Sequence, residues 1–421
     1  MEIPLLVKLM LSLCVIITLN KITGKLFISM LGGALLFGFW SGQGVQEAAA
    51  IIAAKAVSLD TLSLLLIVSM VIILSDQMSK SGMIGSMVEG VRAKITTRTS
   101  LALLPAIIGL LPMPGGALFS APLLDTFDGT EGINQQAKTS INYWFRHIWE
   151  YGWPLYPGVI LAASISGIDL MVFMAAALPP IALSITVGYI FLLRRIPKHH
   201  HAKISGHRMD LRPFIPIVVV ILLYSMVQLL FPSLVSAFRY APMLIGLAGA
   251  LITLQLLTRL NLQTWVLSLT SKKLFQSLLI ILMVYVYGAF IEADLHGTPI
   301  SQLMTQEMAE MGIPALPLIM LIPFVAGLTM GVSVGFVGAS MPVVVALIGV
   351  DPTFGSLLGH TMLAFISGFM GTMLSPLHVC LIVTCNYYHT NLHRTLATIV
   401  PLAAVIAVAG FFYSRVLIML F

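Results

Sequence analysis

The sequence predicts an all-α polytopic membrane protein built from two inverted repeats, each with five transmembrane helices plus one re-entrant hairpin. Three observations lead there. Hydrophobic residues make up 58% of the 421-residue chain and charged residues only 9%, with a mean hydropathy of +1.01, and no water-soluble fold buries that much apolar surface. Apolar runs about 20 residues long recur from end to end, each long enough to cross a hydrocarbon core of about 30 Å as a helix. Stretches of the second half also repeat stretches of the first in the same order, which is the mark of a pseudo-symmetric membrane fold. Residues 215–230 and 396–412 are apolar on every face rather than alternating, which excludes a β-barrel.

The N-terminal repeat is expected over residues 1–196, with spans at about 3–20, 24–42, 60–80, 136–166 and 169–194. The first run lacks a basic leader and a small-residue cleavage site, so it reads as a mature helix and not a signal peptide. A hydrophobic segment at about 100–125 cannot be a simple span, because Pro112-Met-Pro-Gly-Gly116 breaks it at its middle. A re-entrant hairpin accommodates such a break where protein or a wet cavity covers the tip. Residues 197–211 form a linker, and its run His199-His-His201 reads as a solvated basic loop and not a metal site. The C-terminal repeat covers 212–421, with spans at about 212–232, 239–258, 274–294, 353–388 and 394–417 and a hairpin at about 315–349. Gly331-Val-Ser-Val-Gly335 interrupts that second hairpin.

The repeats align through several short matches. Met30-Leu-Gly-Gly-Ala-Leu35 resembles Gly246-Leu-Ala-Gly-Ala-Leu251, and Phe119-Ser-Ala-Pro122 resembles Ala339-Ser-Met-Pro342, pairing Gly115 with Gly335 and Ser120 with Ser340. Residues 152–157 match 371–376 at nearly the same offset, and 64–82 runs parallel to 278–297. The net charge of +6 comes from short loops between spans, so it speaks of topology and not of nucleic acid. A cytoplasmic linker puts most of the 22 basic residues on its own side, among them Lys21, Lys25, Lys80, Lys272, Lys273 and Arg394, while Glu47, Asp60, Asp169, Glu292 and Glu307 fall opposite. Both termini are then periplasmic, the two repeats are inverted, and the first hairpin enters from the cytoplasm and the second from the periplasm.

Chemistry concentrates in the fourth span of each repeat. Glu150-Tyr-Gly-Trp-Pro-Leu-Tyr-Pro-Gly158 and Gly368-Phe-Met-Gly-Thr-Met-Leu-Ser-Pro376 each interrupt a long apolar helix, and freed helix ends attract ions; a merely Pro-kinked packing helix is the alternative. Tyr143-Trp-Phe-Arg-His-Ile-Trp-Glu150 is the one cluster of ionisable residues inside a span, and intramembrane charge faces the bundle interior. Arg146 and Glu150, four apart, pair on one helix face, either to lock the helix or to leave Arg146 for an anionic solute and Glu150 or His147 for proton exchange. Ser120, Ser333 and Ser340 near the hairpin tips, with Thr372, Ser375 and His378 in the second break, offer hydroxyls and an imidazole, or serve helix packing. Cys14, Cys380 and Cys385 read as small buried or lipid-facing residues without metal-ligand spacing.

The arrangement resembles the ion transporter superfamily of dicarboxylate, citrate, gluconate and arsenite carriers and some sodium/proton antiporters. Leu111-Pro-Met-Pro-Gly-Gly-Ala-Leu-Phe-Ser-Ala-Pro122 and Arg146-His-Ile-Trp-Glu-Tyr-Gly-Trp-Pro-Leu-Tyr-Pro157 resemble more narrowly its prokaryotic branch called domain of unknown function 401. The resemblance implies that hairpin tips and helix breaks form the substrate and ion sites, here at Pro114, Gly115, Gly116 and Gly335 and at Tyr156, Pro157 and Gly371 beside the polar residues above. It implies a secondary active transporter in a prokaryotic inner membrane, moving a small anionic organic solute with proton or sodium as coupling ion and no cofactor or metal. A homodimer through the first three elements of each repeat is the expected assembly. The chain lacks the Ser-Asn-Thr tripeptide of the dicarboxylate carriers at either hairpin, so their specificity and sodium coupling are not carried over. A cation/proton antiporter on the same fold is one alternative. A membrane-embedded enzyme on a lipid-borne substrate is another, opposed by the absence of H-E-x-x-H, G-x-S-x-G and paired intramembrane aspartates. A channel suits broken helices with protective hairpins less well than a carrier does.

Overall fold

A backbone in hydrocarbon must satisfy its own N–H and C=O groups, and this chain does so almost wholly with helices. A computed structural model describes residues 3–83, 97–112, 116–125, 132–194, 196, 211–295 and 297–421. In chain order the helices are α1 (Leu5–Thr23), α2 (Leu26–Trp40), α3 (Val45–Ala56), α4 (Leu59–Lys80), α5 (Thr97–Gly109), α6 (Ala117–Asp125), α7 (Gln135–Arg146), α8 (Pro157–Ser166) and α9 (Leu170–Gly188). The second half adds α10 (Ile215–Leu230), α11 (Pro232–Ala237), α12 (Ala241–Thr258), α13 (Leu262–Leu269), α14 (Lys272–Glu292), α15 (Ile300–Glu310), α16 (Ala315–Met330), α17 (Ser333–Ile348), α18 (Phe354–Met373), α19 (Val379–Tyr387) and α20 (Leu392–Leu420). Between α14 and α15, Asp294–Leu295 pairs antiparallel with Thr298–Pro299.

Eight helical stretches among the described residues are long and apolar enough to cross a bilayer. The chain is therefore an all-α, multi-pass membrane protein. Its exposed surface carries bulky apolar side chains such as Leu222, Leu229, Leu256 and Phe412, as a surface wetted by acyl chains requires. Helix starts are held by side chains that accept from the first free amides: Ser58 from Thr61, Asp169 from Met171 and Val172, Ser271 from Leu274, and Thr353 from Ser356.

Small residues set the tightest packing. A Cβ on Gly33 of α2 would lie 2.2 Å from Ile16 of α1, and one on Gly249 of α12 would lie 2.2 Å from Leu223 of α10. Helices α16 and α18 interlock through a reciprocal pair: a Cβ on Gly327 would meet the Gly368 carbonyl at 2.0 Å, and one on Gly371 the Phe324 carbonyl at 2.1 Å. Such backbone approach is what glycine supplies where lipid offers no hydrophobic drive for association. The interlocked helix α18 is the interior element, with 78% of its membrane-length window buried against 33% for α1.

The described helices differ from the sequence expectation in two ways. The second span, expected at 24–42, is the 15-residue α2, about 22 Å long at 1.5 Å per residue. Loops between spans contain further helices, α3, α13 and α15, because their sequences carry a one-sided apolar face that lies well on a surface. Most of the 197–211 linker lies outside the described residues.

Candidate functional site

Helix α7 begins at Asn134, whose side chain accepts from Gln136 N, and it is buried without interruption from Lys138 to Arg146. It stops there. Gly152, Pro154 and Pro157 prevent its continuation, and residues 147–156 turn instead through local bonds, with Glu150 N donating to His147 O and Trp153 N to Trp149 O. Pro157 then opens α8 at a position where no amide is needed. The second break lies between α18 and α19. Leu374 N and Ser375 N close the end of α18 on Met370 and Thr372 carbonyls, and Leu377 N donates to Ser375 Oγ.

Each break is met by the facing ends of two successive helices. On the first side, a Cβ on Gly109 at the end of α5 would lie 2.1 Å from the Arg146 carbonyl, and one on Gly116, just before α6, 2.1 Å from Arg146 Nη2. On the second side, Gly331 turns α16 into α17 at φ +66°, and a Cβ there would sit 3.0 Å from His378 N. The two sides are joined as well. A Cβ on Gly158 of α8 would lie 2.8 Å from Ser333 Cβ, and Ser333 Oγ donates to Glu150 Oε2 at 2.6 Å.

These elements enclose a cavity of about 180 Å³ lined by Pro112, Arg146, Glu150, Tyr156, Pro157 and Gly158 from the first half, and by Gly331, Val332, Ser333, Val334, His378, Val379 and Cys380 from the second. Lys273 and Ser277 of α14 and Ile72 of α4 complete it. The volume is well below the roughly 300–1,000 Å³ of drug-sized ligand pockets, so it suits a small solute. Its walls hold three buried ionisable groups. Arg146, Glu150 and His378 are each at most 7% exposed, which a bundle interior tolerates only where the groups partner one another or a ligand.

Arg146 Nη1 lies 3.4 Å from Cys380 Sγ and 3.4 Å from His147 Nε2. His147 Nε2 lies 3.1 Å from His378 Nε2 and 3.8 Å from Glu150 Oε1. The Tyr143 ring meets both imidazoles edge-on, with its hydroxyl donating to the Met373 carbonyl. One expectation needs correction here: Arg146 and Glu150 do not share a helix face, because α7 ends at Arg146 and Glu150 stands in the following turn. Glu150 instead reaches across to Ser333.

Of the residues singled out in the sequence, Arg146, Glu150, Tyr156, Pro157, Ser333 and His378 line the cavity, and His147 lies against it through His378. Gly116 backs onto the guanidinium of Arg146. Tyr156 donates its hydroxyl to the Gly109 carbonyl and so ties the first break to α5. Ser120, Gly335, Ser340, Gly371, Thr372 and Ser375 are not among the lining residues. Ser340 and Thr372 bond carbonyls of their own helices, Gly371 serves the α16–α18 contact, and Ser375 bonds Leu377 N. Pro114 and Gly115 lie outside the described residues. From the sequence, Cys380 reads as a small buried or lipid-facing residue and Lys273 as a basic residue of the cytoplasmic side, whereas both line the cavity. Cys380 follows His378 by two positions at the start of α19, and Lys273 opens an otherwise apolar helix; those placements were the available signals.

His147, His378 and Cys380 bring ligand-type atoms within 4.8 Å of one another. A metal with bonds of about 2.0–2.3 Å would draw these atoms closer together, and the Arg146 guanidinium, 3.4 Å from the thiol, stands beside the same atoms as a competing cation.

Broken helices that turn a buried arginine, glutamate and histidine toward one small cavity, with a second histidine behind them, define this multi-pass α-helical membrane protein as one with a polar centre. The chain belongs to the family described as Protein of unknown function (DUF401), which matches residues 6–417. No curated protein shows a match to it.

Proposed function

We propose that the chain is a secondary active transporter of a small anionic organic solute, working by alternating access with protons or sodium as the coupling ion in a prokaryotic inner membrane. The observation that carries the reading is the cavity itself, where both helix breaks and both hairpin tips meet around Arg146. A guanidinium holds a carboxylate with two parallel hydrogen bonds, and the site's fixed cations argue for an anion rather than for the cation cargo of an antiporter.

Inverted repeats supply the alternation. Support for them comes from paired contacts: α2 closes on α1 through Gly33 as α12 closes on α10 through Gly249, and Gly109 presses on the Arg146 carbonyl as Gly327 presses on that of Gly368. The sidedness read from loop charge is supported by long-range bonds at helix ends. Leu5 N donates to Glu307 and Lys55 pairs with Glu292, all assigned to the periplasm. Gln136 bonds Thr395, and Gln77 bonds Ser268, all near the basic cytoplasmic side. In this scheme the hairpins enter from opposite faces and move with the breaks against a scaffold of α1–α4 and α10–α14, which also forms a homodimer interface.

Counterflow tests the proposal. Proteoliposomes loaded with an unlabelled carboxylate should take up the labelled form of the same compound faster than unloaded ones, in a screen of mono-, di- and hydroxycarboxylates. A lipid-modifying enzyme yields a chemical product instead, and a channel shows no trans-stimulation; either result overturns the reading.

A further inference from the structure

Both imidazoles at the junction of the two breaks have one nitrogen already committed. His147 Nδ1 lies 2.5 Å from the Tyr143 carbonyl, and His378 Nδ1 lies 3.3 Å from the Thr372 carbonyl. A carbonyl oxygen only accepts, so a ring nitrogen bonded to it bears the hydrogen; with the hydrogens assigned that way at both rings, each neutral Nε2 is a bare acceptor. Yet the two Nε2 atoms stand 3.1 Å apart, which is hydrogen-bond distance. Two lone pairs facing at that distance in a buried site repel, and a proton between them turns the contact into a bond. Arg146 Nη1 approaches His147 Nε2 at 3.4 Å, so His147 is the acceptor and His378 donates the shared proton.

We infer that His147 and His378 form an intramembrane proton site, in which one proton bridges the two Nε2 atoms, and that this proton is the coupling ion of transport. The second half of the inference rests on the transport reading above; the first does not.

Every charged or titratable group facing the pair bears on it. The first break supplies Arg146 and Glu150, whose Oε1 is 3.8 Å from His147 Nε2. Helix α19 supplies Cys380, which lies against Arg146 and is hydrogen-bonded to His147. Tyr143 and Tyr156 have their hydroxyls committed to the Met373 and Gly109 carbonyls, Lys273 stands across the cavity, and the tip of the second hairpin presents Ser333, which is neutral. With the bridge in place, Arg146 and protonated His378 outweigh Glu150, and the cavity attracts an anion. When the proton leaves His378 for water by way of Glu150, both rings become neutral and the cavity loses one positive charge. Proton and anion therefore bind together, which is symport. The two bare Nε2 atoms then repel across 231 residues of sequence separation, loosening the first break from the second.

The test uses the full-length protein in lipid nanodiscs, labelled with ¹⁵N at the histidine imidazoles. Nuclear magnetic resonance should show both Nδ1 protonated and a through-hydrogen-bond coupling between two Nε2 nuclei at acid to neutral pH. The same signal should be missing from His378→Gln and from His147→Gln. Wild-type rings that titrate with no Nε2–Nε2 coupling at any pH overturn the proton site, and that result needs no variant to fold. The coupling role is read in proteoliposomes with gluconate and succinate as probes and protein-free liposomes as the blank. For a monovalent anion carried with one proton, an alkaline interior should drive about tenfold accumulation per pH unit. Counterflow that responds to a sodium gradient and not to a pH gradient overturns proton coupling while transport stands. Nε2–Nε2 coupling without counterflow of any carboxylate upholds the proton site and instead defeats the transport reading.

Discussion

Arg146 is the residue on which the chemistry turns. Its side chain is enclosed by the Gly116 backbone, Cys380 and His147, only 2% exposed, and it faces the cavity from the last turn of α7. Lysine in its place keeps the charge and loses the planar fork. Arg146→Lys should therefore raise KM for a carboxylate by about tenfold or more with the protein still assembled in the membrane. The double change Arg146→Met with Glu150→Gln removes both charges and avoids leaving one buried and unpaired. It should fold yet fail to take up solute. Uptake restored with unchanged KM would make the pair structural and remove Arg146 from substrate binding. This much was legible in the sequence, because a charge amid apolar residues stands out. The roles of Cys380 and Lys273 were not, since a thiol or a lysine at a helix start has many ordinary uses.

At the scale of elements, α5 and α16 are held to the broken helices by glycines, Gly109 and Gly327, at which a Cβ would strike a carbonyl. Gly327→Val and Gly371→Val should each lower stability by about 1–3 kcal/mol or more, since α16 and α18 cannot separate without opening the interior. Thermal melting of the detergent-solubilised protein checks this. Gly132→Ala is the control, because nothing lies within 4 Å of its added methyl, and an equal loss there would show that the assay does not report on the α16–α18 contact. The breaks were legible because proline and glycine act locally on the helix that contains them. The fate of individual hydroxyls was not: Ser340 and Thr372 satisfy themselves within one turn, whereas Ser333, in similar sequence surroundings, reaches Glu150.

At the scale of the whole molecule, the proposed inversion of the halves makes a prediction about access. In a Cys14→Ser background, where Cys380 and Cys385 stay buried, Lys203→Cys should be labelled only from the cytoplasm and Glu310→Cys only from the periplasm. Labelling of both from one side would end the inverted-repeat scheme. Hydropathy, the positions of the helix breaks and the charge of the loops are properties of short segments, so the sequence by itself determined that the chain is a helical membrane protein and that its polar residues cluster at two interruptions. Which of those residues meet is a different matter. The contacts of His147 with His378 and of Glu150 with Ser333 span 231 and 183 residues, and no local pattern encodes them. Only the tertiary packing of helix pairs on breaks, set by glycines that admit a backbone and exclude a side chain, decided that Arg146, Glu150 and His378 share one cavity with His147 against them.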